Sequence, residues 1–100
     1  MPVTRLRGDE YISLEYRPRK SRTFEFELDA DHPVQTYIVG PKALERFEEG
    51  STNFKYWGGF PEARKHQKQK VWIPFSGPLY LIIVNPDPYK TAEVEYEVYY

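Results

Sequence analysis

The sequence predicts an all-β protein, an antiparallel β-sandwich of seven or eight strands with one short helical insertion near residues 41–49. Two observations support this prediction. Apolar and polar residues alternate along several stretches, and nine prolines and six glycines divide a chain of 100 residues into short segments. Alternation with a period of two places apolar side chains on one face of a strand. Turn residues at intervals of about ten are typical of sandwiches and barrels. We therefore expect a single domain over residues 1–100.

The clearest alternation lies in residues 92–100, where three glutamates are interleaved with Val94, Tyr96 and Val98. In a strand the apolar set faces a core and the glutamates face water. Residues 79–84 are apolar on both faces, which indicates a central strand covered above and below. The predicted strands are residues 11–16, 23–28, 34–39, 53–57, 70–73, 79–84 and 92–100. The predicted core is Ile12, Leu14, Phe24, Phe26, Leu28, Ile38, Phe47, Val71, Ile73, Leu81, Ile83, Val94, Tyr96 and Val98.

Residues 41–49 depart from the strand pattern. They contain good helix formers between Pro41 and Gly50, the residues that favour the start and the end of a helix. Leu44 and Phe47 are three residues apart and therefore share a helical face. Proline, glycine, asparagine and aspartate are concentrated between the other elements and predict turns there. These predicted turns are residues 17–20, 29–33, 76–78 and 85–88.

Composition excludes several classes of protein. The chain has no cysteine and a net charge of −1, so neither a disulfide framework nor a general attraction to nucleic acid is expected. Residues 1–20 lack the apolar stretch of a signal peptide. The longest apolar run, residues 79–84, is far shorter than the ~20 residues that span a membrane. We therefore expect a cytoplasmic protein that does not enter a membrane.

No catalytic or metal-binding motif is present. The chain has two histidines and no cysteine, its serines lie outside a Gly-x-Ser-x-Gly turn, and phosphate-binding glycine loops are missing. The cluster Asp29, Asp31 and His32 has too few ligands for zinc and lacks the glycine turn of a calcium loop, so it indicates a polar turn. A triad assembled from distant residues stays open. We predict a protein that is not an enzyme and holds no metal or cofactor.

An aromatic segment around Gly58 and Gly59 is the most distinctive local sequence. Tyr56, Trp57 and Phe60 surround a turn predicted at the two glycines, because glycine permits backbone conformations that can hold side chains at a surface. Such rings can stack on a sugar, a base or a side chain of a partner. The alternative is that one or two of them cap the end of the sandwich. Because neighbouring strand residues face opposite ways, Tyr56 and Trp57 cannot both lie in the core.

Two basic clusters offer a site for anions. The first is Arg17, Arg19, Lys20 and Arg22, and the second is Arg64, Lys65, His66, Lys68 and Lys70. Side by side, they would hold phosphate groups. The alternative is that Lys68 and Lys70 lie opposite the glutamates of residues 93–97 in neighbouring strands, where opposite charges are weakly stabilising.

The sequence also resembles a known family. The shared motifs are Leu44, Phe47, Gly50 and Tyr56-Trp57-Gly58-Gly59, followed by Ile73-Pro74, Ser76-Gly77 and Tyr80. Over residues 37–100 these motifs resemble the bacterial domain of unknown function 1883 family. The resemblance implies a small β-sandwich, and, because some members are joined to TIR signalling domains, a role in sensing or interaction. The segment from Pro74 to Asn85 is also similar to GOLD-type and pre-peptidase C-terminal sandwiches, which are binding or trafficking modules.

These observations together predict a non-catalytic interaction module that binds a protein partner or a second copy of itself. If the strand at residues 92–100 lies at a sheet edge, its unpaired backbone groups would recruit another chain. One alternative is a carbohydrate or small ligand held by Tyr56, Trp57 and Phe60. The other is an anionic ligand or a nucleic acid held by the basic stretch Arg64, Lys65 and His66 to Lys70, of which nucleic acid is the less expected.

Overall fold

A computed structural model describes residues 2–18, 22–73 and 77–100. These residues form six strands and one helix. The elements are β1 (Val3–Leu6), β2 (Tyr11–Tyr16), β3 (Arg22–Val39), α1 (Pro41–Glu48), β4 (Gly58–Ile73), β5 (Leu79–Val84) and β6 (Ala92–Tyr99). The predicted all-β class and the helical insertion are confirmed. Seven or eight strands in a two-sheet sandwich are not, because the described residues form six strands in one antiparallel sheet.

The sheet is organised around β3. The order of strands is β1-β6-β3-β5-β2, and β4 pairs with the remaining edge of β3. Residues 25–30 of β3 pair with β6, whereas residues 35–39 pair with β5. Two different strands thus follow one another along the same edge of β3. The sheet curls between them into a half-barrel that encloses the core.

The predicted turn at residues 29–33 is wrong, because this segment is the bent middle of β3. The register between β3 and β4 shifts between Asp29 and Val34 and again between Val34 and Thr36, as in a β-bulge. Pro33 lies in this shift, where its missing N–H interrupts no regular ladder. Two predicted strands, residues 23–28 and 34–39, are therefore the two halves of one strand.

Three further differences concern the strands. Residues 53–57 form no strand, because their aromatic side chains pack on the outside of the sheet instead of extending it. Residues 70–73 are the end of the 16-residue β4. The short strand β1 was not predicted. Leu6 is its one buried residue, so it shows no clear alternation of apolar and polar side chains.

The interior largely matches the predicted core. The predicted residues that are buried are Phe24, Phe26, Leu28, Ile38, Ile73, Leu81, Ile83 and Val94. Half-buried residues that pack against them are Ile12, Leu14, Val71, Tyr96 and Val98. The buried apolar residues that the predicted core does not include are Leu6, Val34, Val39, Leu79, Ile82 and Ala92. Phe47 is a wrong prediction: α1 lies outside the sheet, and its ring joins a separate group of aromatic side chains there.

Two buried polar residues hold the bend of β3 against β4. Gln67 donates through Nε2 to the carbonyl of Val34 (2.7 Å) and to that of Arg64 (3.3 Å), at the shift in register. Thr36 donates through Oγ1 to Gln67 Oε1 (2.5 Å) and accepts the Phe60 N–H (3.0 Å). Backbone groups displaced from the ladder are in this way hydrogen-bonded, as buried polar groups require.

The connection from β5 to β6 holds the other side of the bend, and the turn predicted at residues 85–88 is confirmed. Asn85 is buried and donates to the carbonyls of Leu6 (3.0 Å) and Lys90 (2.6 Å). Asp87 accepts the amides of Tyr89 (2.8 Å) and Lys90 (3.2 Å) and bonds His32 Nε2 (2.9 Å). The hydrogen bond from the Tyr89 amide is the largest effect on the pKa of Asp87 and lowers it. The Lys90 amide and His32 lower this pKa further, whereas burial raises it by less than these groups lower it.

The helix α1 does not have the length or apolarity to span a membrane, and it is the one helix in the described part of the chain.

Some predictions lie outside the described residues. They concern the turn at residues 17–20, of which only 17 and 18 are described, and Ser76 of the turn at residues 76–78. Arg19 and Lys20 of the first basic cluster, and Pro74 and Ser76 of the family motif, are likewise outside.

Candidate functional site

Five rings cover the outer face of the sheet where β3 pairs with β5. Tyr37 of β3 lies at the centre, with ring centroids at 6.2 Å from Phe47 of α1, 5.2 Å from Phe54 and 5.6 Å from Tyr56. Tyr11 of β2 joins through Phe47 (4.8 Å). Most of these contacts are edge-on or tilted, the geometries that aromatic pairs prefer. We call these five residues the aromatic cluster.

The ends of α1 bring the cluster together. The helix begins at Pro41, two residues after β3 ends, so it turns back across the sheet. At its other end Gly50 has a φ of +85°, a left-handed conformation that favours glycine. The amide of Gly50 bonds the carbonyl of Phe47 (3.0 Å), and the amide of Ser51 bonds that of Arg46 (3.0 Å). This cap reverses the chain and places Phe54 and Tyr56 beside Phe47.

A cleft of about 430 Å³ opens beside the cluster. Its apolar walls are rings, and Tyr56 remains 45% exposed at its mouth. Its polar side-chain groups are the amide of Gln35, the hydroxyls of Ser51 and Thr52, and the phenol hydroxyls of Tyr37 and Tyr56. None of the described residues around the cleft is charged at neutral pH. The full lining is Gln35, Tyr37, Phe47, Gly50, Ser51, Thr52, Phe54, Tyr56 and Pro61.

Hydrogen bonds hold the polar rim of the cleft. Gln35 Nε2 donates to the carbonyl of Pro61 (2.7 Å), which ties β3 to the start of β4. The hydroxyl of Ser51 accepts the Asn53 N–H (3.1 Å) and so fixes the loop after the helix. Burial, and then the neighbouring Tyr56, raises the pKa of Tyr37, so this phenol stays neutral at physiological pH. Among the residues of the lining, no nucleophile is paired with a base.

The structure separates the three predicted aromatic residues. Tyr56 forms part of the cleft. Trp57, which is 40% exposed, lines a neighbouring groove with Pro41, and Lys55 Nζ lies 5.1 Å from the centre of its ring. Phe60 faces the core instead, with its ring 6.2 Å from that of Phe26.

Gly58 and Gly59 begin β4 and do not form the predicted turn. Gly59 has a φ of +109°, and a Cβ atom there would lie 2.3 Å from the Thr36 carbonyl oxygen. Glycine is therefore required for close approach of two strands.

The aromatic residues of the cleft that were not predicted as site residues are Tyr37, Phe47 and Phe54. One signal was present in the sequence. If Val34, Thr36 and Ile38 face inward, alternation turns Tyr37 outward, and an outward ring next to a helix bearing Phe47 indicates a second apolar contact.

The predicted basic residues Arg64, Lys65 and His66 are exposed on β4, and the side chains of Arg64 and His66 contact a ring and an acid. His66 bonds the carboxylate of Asp29, and the Arg64 guanidinium lies 4.9 Å from the centre of the Phe60 ring. Lys68 and Lys70 lie opposite Glu27 and Glu25 of β3 in the sheet register. The prediction that these lysines face residues 93–97 is therefore wrong, because β3 separates β4 from β6.

Asp29, Asp31 and His32 of the predicted polar turn each bond a different partner. Asp29 bonds His66, Asp31 accepts the Glu93 N–H (2.8 Å), and His32 bonds Asp87. Across residues 2–18, 22–73 and 77–100, no three histidine or acidic side chains are grouped closely enough to hold a metal ion.

Comparison of the sequence with protein-family models and with curated proteins returns no match. The similarity to the domain of unknown function 1883 family therefore stays a prediction from motifs.

Proposed function

We propose that this chain is a non-catalytic binding module that holds a small uncharged ligand with a flat apolar face and hydroxyl groups, such as a sugar, in the aromatic cleft. The observation that carries this proposal is the set of four rings, Tyr37, Phe47, Phe54 and Tyr56, around a cleft of about 430 Å³. Small-molecule sites combine mostly apolar walls with a few placed polar groups in volumes of roughly 300–1,000 Å³.

The chemistry of the cleft supports a sugar among small ligands. The face of a pyranose ring carries C–H groups that stack on aromatic rings, and Tyr56 offers a partly exposed ring at the mouth. The hydroxyl groups of a sugar need hydrogen-bonding partners. The amide of Gln35 and the hydroxyls of Ser51 and Thr52 are suited to this role. The lack of charge among the described lining residues favours a neutral ligand.

The geometry gives less support to the two other functions that the sequence predicts. An anion at Arg64, Lys65 and His66 would compete with Asp29 for His66, and the Arg64 guanidinium already lies against the Phe60 ring. Recruitment of a protein through residues 92–100 requires a free edge, yet β6 pairs with β1 over residues 92–95 and with β3 over residues 94–99, which leaves only short unpaired stretches in the described chain. A two-sheet sandwich and a cytoplasmic location remain part of the proposal.

The test is titration of the labelled protein with a panel of neutral mono- and disaccharides, followed by NMR amide shifts. We expect saturable shifts around residues 50–56. Tyr56→Ala should weaken binding about tenfold, since an aromatic stacking contact contributes on the order of 1 kcal/mol beyond its buried area. The matched control is Trp57→Ala, an adjacent and similarly exposed ring that does not line the cleft. It should change affinity less than twofold.

Equal losses from the two variants would contradict a site in the cleft. Absence of saturable shifts with every sugar in the panel would contradict the proposed ligand class. Melting curves of both variants show whether the fold is intact, which we expect because neither ring belongs to the core.

A further inference from the structure

We propose that the outer edge of β4 binds an extended acidic segment of a partner protein as an added strand. This inference is independent of the ligand in the cleft. β4 runs from Gly58 to Ile73, and β3 pairs with one of its edges. Among the described residues no strand pairs with its other edge. Such an edge presents a row of backbone N–H and C=O groups, which is the surface that proteins use for strand addition.

The side chains of β4 define where a strand would lie. From residue 66 onward, His66, Lys68, Lys70 and Trp72 are exposed, while the residues between them are buried or half-buried. The Lys68 side chain is 67% exposed and Trp72 is 60% exposed. A neighbouring strand would therefore meet cations at alternate positions and an indole ring at the end. Nearer the start, Pro61 lacks an N–H, and the register shift near Arg64 interrupts the strand. These features confine strand addition to residues 66–72.

Charge selects an acidic partner. Lys68 and Lys70 each have a glutamate opposite on β3 and no strand on their other side within the described residues. A carboxylate on an added strand would lie about 5 Å from a lysine position, and about twice that from the glutamate beyond it. Screening at physiological salt acts over about 8 Å, so the near attraction outweighs the farther repulsion. The lysine would then lie between two carboxylates.

The same charges argue against a second copy of this chain as the occupant. If two β4 edges paired antiparallel around Lys68, the Lys68 of the second copy would lie directly opposite. Like charges directly opposite one another destabilise a strand pair. The occupant is therefore a different acidic segment.

The experiment uses the full chain and a fluorescent peptide in which glutamate and threonine alternate over the length of residues 66–72. We expect saturable binding by fluorescence anisotropy that weakens as salt is raised. The double variant Lys68→Gln/Lys70→Gln should bind about tenfold more weakly, since two cross-strand charge pairs are lost. The matched control is Lys42→Gln/Lys55→Gln, which removes the same charge at exposed positions outside β4.

A second peptide, N-methylated at alternate residues on the edge that would face β4, tests the backbone. It keeps every carboxylate but cannot donate the ladder hydrogen bonds, so we expect its binding to be lost. Amide exchange in residues 66–72 should slow when the unmethylated peptide binds. Equal binding of both peptides, equal weakening by the two lysine pairs, or no saturable binding would each overturn the proposal. In those cases the lysines serve only to keep the edge unpaired.

Unchanged peptide binding by Tyr56→Ala would separate this site from the cleft. A loss of binding equal to that of the lysine double variant would overturn the placement of the site on β4.

Discussion

The two halves of β3 share one core but carry opposite chemistry on their outer faces. The first half carries Glu25, Glu27 and Asp29 on its outer face. These residues lie opposite Lys70, Lys68 and His66 of β4. The second half presents Tyr37, which α1 and the following loop cover with rings. Both halves turn buried apolar side chains inward. The comparison shows that the core constrains the inner face of both halves, whereas on the outer face only the second half also buries an apolar residue, Val39. The outer face is left to charge pairing in one half and to an apolar cleft in the other.

The largest loss of stability should come from a substitution in the core, which the two halves of β3 share. Phe26 is fully buried in the core, whereas Phe47 is half-buried in the aromatic cluster. We expect Phe26→Ala to lower the free energy of unfolding by about 3–5 kcal/mol, because it removes a large buried ring and leaves a cavity. Phe47→Ala should cost about 1–2 kcal/mol, since less surface is buried there.

Urea unfolding followed by circular dichroism measures both values. Equal losses would mean that the aromatic cluster is as much a part of the core as Phe26, and the comparison of the two halves would fail.

A smaller effect is expected at the joint between the halves. Gln67→Ala removes the side chain that bonds the Val34 carbonyl and Thr36 at the bend. We expect a loss of about 2–3 kcal/mol in the free energy of unfolding, because buried polar groups would be left without partners. Lys68→Ala, the exposed neighbour on the same strand, is the control and should cost no more than about 0.5 kcal/mol. If the two substitutions cost the same, the bend does not depend on Gln67.

The smallest effect concerns pH and the loop that links β5 to β6. The pKa of Asp87 lies below its ordinary value of 3.8 in the folded protein, so its carboxylate stabilises the fold at higher pH. This contribution is fully present above the unfolded pKa, from about pH 5 upward, and is lost as pH falls through the folded pKa. Asp87→Asn should therefore be less stable than the natural chain at pH 6, and the difference should shrink by about pH 3. Thermal unfolding at both pH values measures it, and a constant difference would contradict a role for the charge.

Local patterns predicted the faces of the strands correctly where the strand lies against the core. Phe24, Phe26 and Leu28 are buried as alternation requires, and so is Val94. The helix was also predictable, because Pro41 and Gly50 favour its start and its end. The pattern failed at residues 29–33, since proline and aspartate are as compatible with a bulge as with a turn.

The candidate site was only partly predictable. Tyr56 was identified, but its partners Tyr37 and Phe47 are 19 and 9 residues away in the chain. Phe60 was predicted as a ligand-stacking ring with packing at the end of the sandwich as the alternative, and in the structure it packs against Phe26. Its burial follows from the neighbouring strand, which no local pattern specifies.

The sequence alone determined the alternation of inward and outward side chains and the single short helix, because backbone geometry at neighbouring residues sets both. Tertiary structure alone decided which strands are neighbours. It placed β3 between β4 and β6, so that Lys68 meets Glu27 and the acidic strand β6 pairs with β1 on one edge and with β3 on the other. It also brought Tyr37, Phe47 and Tyr56 around one cleft. These pairings join residues far apart in the chain, and only the packing of the whole sheet selects among them.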